Sequence, residues 1–288
     1  MVAASEWEHH WADLDGIRLH YVTQGEGHLL ILLHGWPQTW FTWRKIMPAL
    51  ARQFRVVAPD LRGLGDSEKP TAGYDKRTVA GDIERLIEHL GRNSATVVGH
   101  DWGGPVAFRL ALDHPKSVER LVIINARLPL TGDANFYRPE FVSERWYTFF
   151  HLVPELPERL VSGNVDAYIR YFLTHWAYRK EAFLEADIAE YVRAYSQPGA
   201  LRAGFDYYRT HFDADRVQWQ ADRERTIDAP TLVLWGWNDP TNPPEWTDGY
   251  PRFIPNLTIK FVRSCGHFMQ EELPEVVVEE ILKWIPLT

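Results

Sequence analysis

The sequence predicts an α/β fold, in which a mostly parallel central sheet is flanked by helices and a helical cap is inserted into the chain. Three observations predict it. Short apolar runs rich in β-branched residues recur, helical patterns alternate with them, and one long stretch keeps the helical spacing without any such run.

The elements follow in order. The opening "MVAASEWEHHWADLDG" has no basic start, apolar core or cleavage-like ending, so no leader is expected there. "IRLHYVTQGEG" alternates as a half-buried strand does, and "LLILLHG" is a continuous apolar run closed by glycine, as in a strand covered on both faces. "FRVVAPD", "ATVVGH", "RLVIIN", "TLVLWG" and "LTIKFV" repeat that character. "WFTWRKIMPALARQ", "RTVAGDIERLIEHLG" and "PVAFRLALDHP" between them, and "LPEVVVEEILKWI" at the end, carry apolar residues at helical spacing. From about Arg127 to Arg225 the rhythm changes. "RWYTFFHLV", "VDAYIRYFLTHW", "EAFLEADIAEYVRAY" and "LRAGFDYYRTHF" are helical in pattern, and Pro129, Pro139, Pro154, Pro157 and Pro198 punctuate them. The expected organisation is a core of residues 1–126 and 226–288 with a helical cap at 127–225. Nine of the twelve tyrosines fall in that cap, so presence there does not single any of them out.

The bulk numbers narrow the function classes. A chain of 288 residues, 45% hydrophobic, can bury one substantial core with a smaller appended unit. A net charge of -8 with no Lys/Arg run argues against nucleic acid or an anionic membrane as partner. The longest apolar runs are too short to span a bilayer, and a soluble cytoplasmic protein is expected. The single Cys265 allows no internal disulfide or cysteine cluster, and the twelve histidines show no ligand spacing, so neither metal nor cofactor is expected. Thirteen tryptophans suggest heavy core packing or an aromatic-walled pocket.

In open α/β sheets ligands bind beyond the carboxyl ends of the strands, so the residues that follow each strand matter most. After "LLILL" comes "HGWP", after "ATVV" comes "GHDWGG", after "TLVLW" comes "GWNDP", and after "LTIKFV" comes "RSCGHF". These ends deliver Asp101, Asp239 and His267 in the order nucleophile, acid, histidine, with a turn at Trp36. Glycines around Asp101 suit a strained strand-to-helix turn that leaves the nucleophile uncrowded. Here "HGWPQTW", "PDLRGLGDSEKP", "GHDWGG" and "CGHFMQEELP" resemble the α/β-hydrolase fold, and within it the epoxide hydrolases and haloalkane dehalogenases, whose nucleophile is an aspartate. The resemblance runs from about Ile17 to the C-terminus and is weakest in the cap.

A carboxylate suits displacement at saturated carbon because it is already ionised near neutral pH and needs no base to attack. The alkyl ester so formed would be cleaved by water, with His267 as general base and Asp239 fixing its tautomer. The oxyanion would then form on Asp101 itself, and the turn pattern points to the backbone N–H groups of Trp36 and Trp102 as donors. Asp239 also fits an Asx-turn before Pro240. His34 and His100 read as structural, and Cys265 as a small buried strand-end residue.

The leaving group separates the two related families. An opening epoxide generates an alkoxide that wants a phenolic proton, whereas a halide needs only N–H donors. Many haloalkane dehalogenases place a halide-binding Asn where this chain has Trp36, and fluoroacetate dehalogenases carry Arg where it has Trp102. The resemblance to epoxide hydrolases implies two cap tyrosines, matched here by Tyr147 in "RWYTFF" and Tyr208 in "DYYRTHF"; Tyr207 and Tyr171 offer the same chemistry. The expected activity is cofactor-independent hydrolysis of a small apolar epoxide to a vicinal diol. A haloalkane or haloacid dehalogenase is the alternative. A non-catalytic binding protein of the same fold is disfavoured, because every catalytic position holds a competent residue.

Overall fold

The computed structural model describes residues 7–131 and 142–286, so Pro139 lies outside the described residues. These form one eight-stranded sheet: β1 (Glu8–Leu14), β2 (Ile17–Gln24), β3 (His28–Leu33), β4 (Phe54–Pro59), β5 (Ala95–His100), β6 (Val118–Ile124), β7 (Thr231–Gly236) and β8 (Leu257–Val262). Their spatial order is β1-β2-β4-β3-β5-β6-β7-β8. β1 and β2 run antiparallel, and from β4 to β8 all neighbours are parallel.

Burial explains the apolar runs. Along β3, Leu29, Ile31 and Leu33 face one core cluster while Leu30 and Leu32 face the other, the two-residue period of a strand covered on both sides. Helix α1 (Lys76–His89), capped by the Asp75 side chain accepting from Thr78 N–H, and α2 (Gly103–Asp113) cover the first face. At the other face, Val277 and Ile281 of the C-terminal helix Pro274–Trp284 join the second cluster.

The structure adds one strand to the expected elements and breaks one expected helix. β1 carries little strand signal, because "EHHWADL" buries only Ala12 and is polar as an edge strand is; its pairing with β2 holds it. "WFTWRKIMPALARQ" is not one helix but a 3-10 turn at Trp40–Trp43 and a short helix at Met47–Leu50. Pro48 has no N–H to donate and its ring would collide with the preceding turn, so the helix restarts with Pro48 in its first turn.

Between β6 and β7 the described residues hold helices and no strand. They include α3 (Trp146–Leu152), α4 (Val165–Trp176), α5 (Glu185–Tyr195) and α6 (Ala200–Thr210), which a π-helical turn at His211–Asp215 extends. The C-terminal helix is α7. Among the described residues no helix is long and apolar enough to cross a membrane.

Candidate active site

Asp101 sits between the end of β5 and the start of α2 with φ at 49°, a left-handed conformation uncommon for a residue with a side chain. The turn also needs bare backbone: a Cβ on Gly99 would stand 2.5 Å from the Gly103 carbonyl oxygen, and one on Gly103 would stand 2.2 Å from that of Leu33. This tight seat on β3 brings Asp101 Oδ1 to the Trp36 N–H, which donates to it at 2.8 Å. Of the two expected backbone donors, Trp36 is the one hydrogen-bonded to the carboxylate, while Trp102 stands beside it as the N-cap residue of α2.

Asp239, just after β7, makes both arrangements that its sequence context suggested. Its Oδ1 accepts from Thr241 N–H at 2.8 Å and Asn242 N–H at 3.1 Å, an Asx-type turn. Its Oδ2 accepts from His267 Nδ1–H at 2.7 Å, which leaves Nε2 of the imidazole 3.5 Å from Asp101 Oδ2. Burial favours the neutral imidazole, but the two flanking carboxylates outweigh it and push His267 up to about 10. Burial likewise opposes ionisation of Asp239, yet His267 and the surrounding donors bring it down to about 2.

The other histidines hold the frame. His100 Nε2–H donates to the His267 carbonyl at 2.8 Å while its Nδ1 accepts from Gln270, and burial with the nearby His267 charge presses it down to about 3. His34 Nδ1–H donates to the Gly35 carbonyl, and its Nε2 accepts from Leu61 N–H.

A pocket opens at this point, lined among others by Asp101, Trp102, Asn125, Tyr147, Tyr208 and Trp246. The rings of Tyr147 and Tyr208 are 5.8 Å apart and nearly perpendicular. Burial raises both phenols above their ordinary range, so they stay protonated at neutral pH. Tyr207 is turned away, its hydroxyl donating to the Arg62 carbonyl at 3.0 Å, and Tyr171 is half exposed against His175.

Residues 28–274 match the family profile of the alpha/beta hydrolase fold. The chain belongs to the α/β-hydrolase family. It is 41% identical over 284 residues to the soluble epoxide hydrolase of Corynebacterium sp. (strain C12), covering 98% of each chain. It is 30% identical to epoxide hydrolase 4 of Homo sapiens over 91% of this chain and 74% of that one. The solved structure of the epoxide hydrolase CorEH without ligand superposes with a TM-score of 0.90 at 41% identity, over 97% of this chain and 98% of that one.

Two residues of this α/β-hydrolase escaped the sequence reading. Asn125, which follows β6 with φ at 43°, donates from Nδ2 to Asp239 Oδ2 at 2.8 Å and accepts the Gly236 N–H at Oδ1. Its signal was available, since it ends a strand as Asp101 and Asp239 do. Glu272 accepts from the N–H groups of Gly266, Phe268, Tyr178 and Arg179, tying the His267 turn to the end of α4. Only the fold reveals that role. The fold also brings His20, Asp60 and Asp66 within 4.8 Å of one another, a grouping that linear spacing cannot show. Asp60 is already engaged there, accepting from His20 Nδ1 at 2.7 Å and from the N–H groups of Trp40 and Asp66. Cys265 is buried, and burial pushes its thiol up, away from reactivity.

Proposed function

We propose that this α/β-hydrolase hydrolyses an epoxide with an apolar substituent to a vicinal diol through an ester on Asp101, with residues 127–225 acting as a cap over the site. Asp101 Oδ2 attacks a ring carbon, the C–O bond breaks toward oxygen, and Tyr147 and Tyr208 stabilise and protonate the alkoxide. Forming the ester removes the Asp101 charge, so His267 gives up its proton, which passes through solvent to the phenolate left by ring opening. Neutral His267, oriented by Asp239, then takes a proton from water as the water oxygen adds to the ester carbonyl carbon. The oxyanion develops on Oδ1, where Trp36 N–H already points from 2.8 Å and the Trp102 amide completes the pair. Collapse releases the diol, returns Asp101 to a carboxylate and leaves His267 protonated.

The observation that carries this reading is one cavity lined at once by Asp101, Tyr147 and Tyr208, within which a bound molecule would meet both the nucleophile and the phenols. Trp102, Phe212 and Trp246 in its wall favour an apolar substituent. The relatives named above support the epoxide as substrate. The test is an assay on styrene oxide and on aliphatic epoxides, with diol as the expected product. No diol from any of them, with halide released from haloalkanes or haloacids instead, would overturn the reading in favour of a dehalogenase.

A further inference from the structure

In that mechanism Trp36 acts only through its backbone N–H, yet its side chain lies at a different boundary. The indole is fully buried, and among the described residues its ring contacts are with α3, α4, α5 and α6, the nearest being Phe172 at 4.6 Å. Tyr147 lies nearly parallel to it, 12° off at 6.2 Å, and Tyr208 meets it edge-on at 5.8 Å. Gly204, one turn before Tyr208 on α6, makes room for the ring: a Cβ there would stand 3.0 Å from the Trp36 Cδ1 and Nε1 atoms. The residue that holds Asp101 Oδ1 from the core is therefore packed, through its own side chain, among the helices that carry both tyrosines.

We propose that the Trp36 side chain, seated on Gly204, is a positioning element that locks the oxyanion donor on Asp101 to the two cap tyrosines, so that one residue sets the geometry of both half-reactions. The inference rests on the two-step reading above. Its physical basis is that close-packed interiors transmit small displacements rather than absorbing them, and an indole with two torsions carries a push on its ring back to its own N–H. Displacing the ring shifts the donor needed for ester hydrolysis and the tyrosines needed for ring opening together. Misplacement by a fraction of an ångström lowers rates in a way that lost stability need not accompany.

The test is Gly204→Ala, with Trp36→Phe as a second variant. Single-turnover ester formation and ester decay are followed by intact mass with styrene oxide, alongside thermal unfolding. In Gly204→Ala both rates are expected to fall several-fold with little change in Tm, because the helix preference of alanine over glycine offsets part of the strain of shifting the buried ring. Trp36→Phe is expected to slow both steps as well, whereas Tyr208→Phe slows formation only and His267→Gln slows decay only. Unchanged rates in both variants, a change confined to one step, or losses that merely follow a fall in Tm would each overturn the positioning role. Failure of His267→Gln to trap an adduct from any epoxide would instead remove the two-step reading, and the inference with it.

Discussion

Replacing Asp101 by Asn, which keeps the shape of the carboxyl group but removes its charge as the ester would, should make His267 much easier to deprotonate. The carboxylate oxygen lies 3.5 Å from Nε2. Two unit charges at that distance attract by about 1 kcal/mol in water and roughly 5 kcal/mol at an effective dielectric of about 20. At about 1.4 kcal/mol per pKa unit, the partly enclosed pair spans a shift of about 1 to 3.5 units. His267, held up to about 10 in the resting enzyme, should therefore fall below that value by about 1 to 3.5 units in Asp101→Asn. Imidazole NMR titrations of the two proteins measure this directly. A pKa that stays put or rises would refute the idea that alkylation arms the base. Stability carries the same sign: because the folded pKa is raised, the stabilisation from charged His267 is complete below about 6.5 and disappears as pH climbs through about 10. The Tm difference between the wild type and His267→Gln should accordingly narrow across that range.

Asn125→Leu should leave the Gly236 N–H without its acceptor and Asp239 Oδ2 without one donor, costing about 1–3 kcal/mol for each group left unpaired. Denaturant unfolding reads that cost, and ester decay should slow more than ester formation; equal slowing would argue against a role through Asp239. Tyr147→Phe and Tyr208→Phe each remove a phenolic donor, and ester formation should drop by about 100-fold or more in the double variant. Diol production at the parent rate in that variant would exclude both residues. Lys76, buried with its Nζ 2.8 Å from Asp215, joins α1 to the π-helical turn after α6. Lys76→Met should cost about 3–5 kcal/mol by leaving Asp215 uncompensated, and Lys76→Met combined with Asp215→Leu should recover most of it. Equal unfolding free energies for the single and double variants would contradict this.

Parallel strands β3 to β7 were legible because burial on both faces writes itself as continuous apolar runs, and β3 shows that alternation reaching two separate clusters. β1 was not, since an edge strand buries little and Ala12 alone marks it. β8 departs from the covered strand expected of "LTIKFV": it closes one edge of the sheet and none of its six residues is fully buried. Pro48 was on the page, and weighing its missing N–H would have split the "WFTWRKIMPALARQ" helix correctly. Asp101, Asp239 and His267, which the fold brings together, follow from one rule, that ligands bind beyond the strand ends, and the same rule applied to "RLVIIN" adds Asn125. Glu272 was beyond reach, because two of its four N–H partners, Tyr178 and Arg179, come from a distant stretch that only folding brings to it.

In the proposed mechanism, the surroundings of His267 would let a single proton govern the second step. The rings packed against it belong to His100, Trp176 and Phe268. Of these only His100 can ionise, and it is pressed down to about 3, so it stays neutral wherever the enzyme is folded near neutrality. Burial keeps Tyr147 and Tyr208 protonated, and Asn125 supports Asp239 with an uncharged amide. A carboxylate in place of that amide would add a second negative charge beside Asp239 and hold His267 protonated further into the alkaline range. Asn125→Asp should therefore move the pH dependence of ester decay upward, and a profile unmoved by that charge would mean that some other group takes the proton from water.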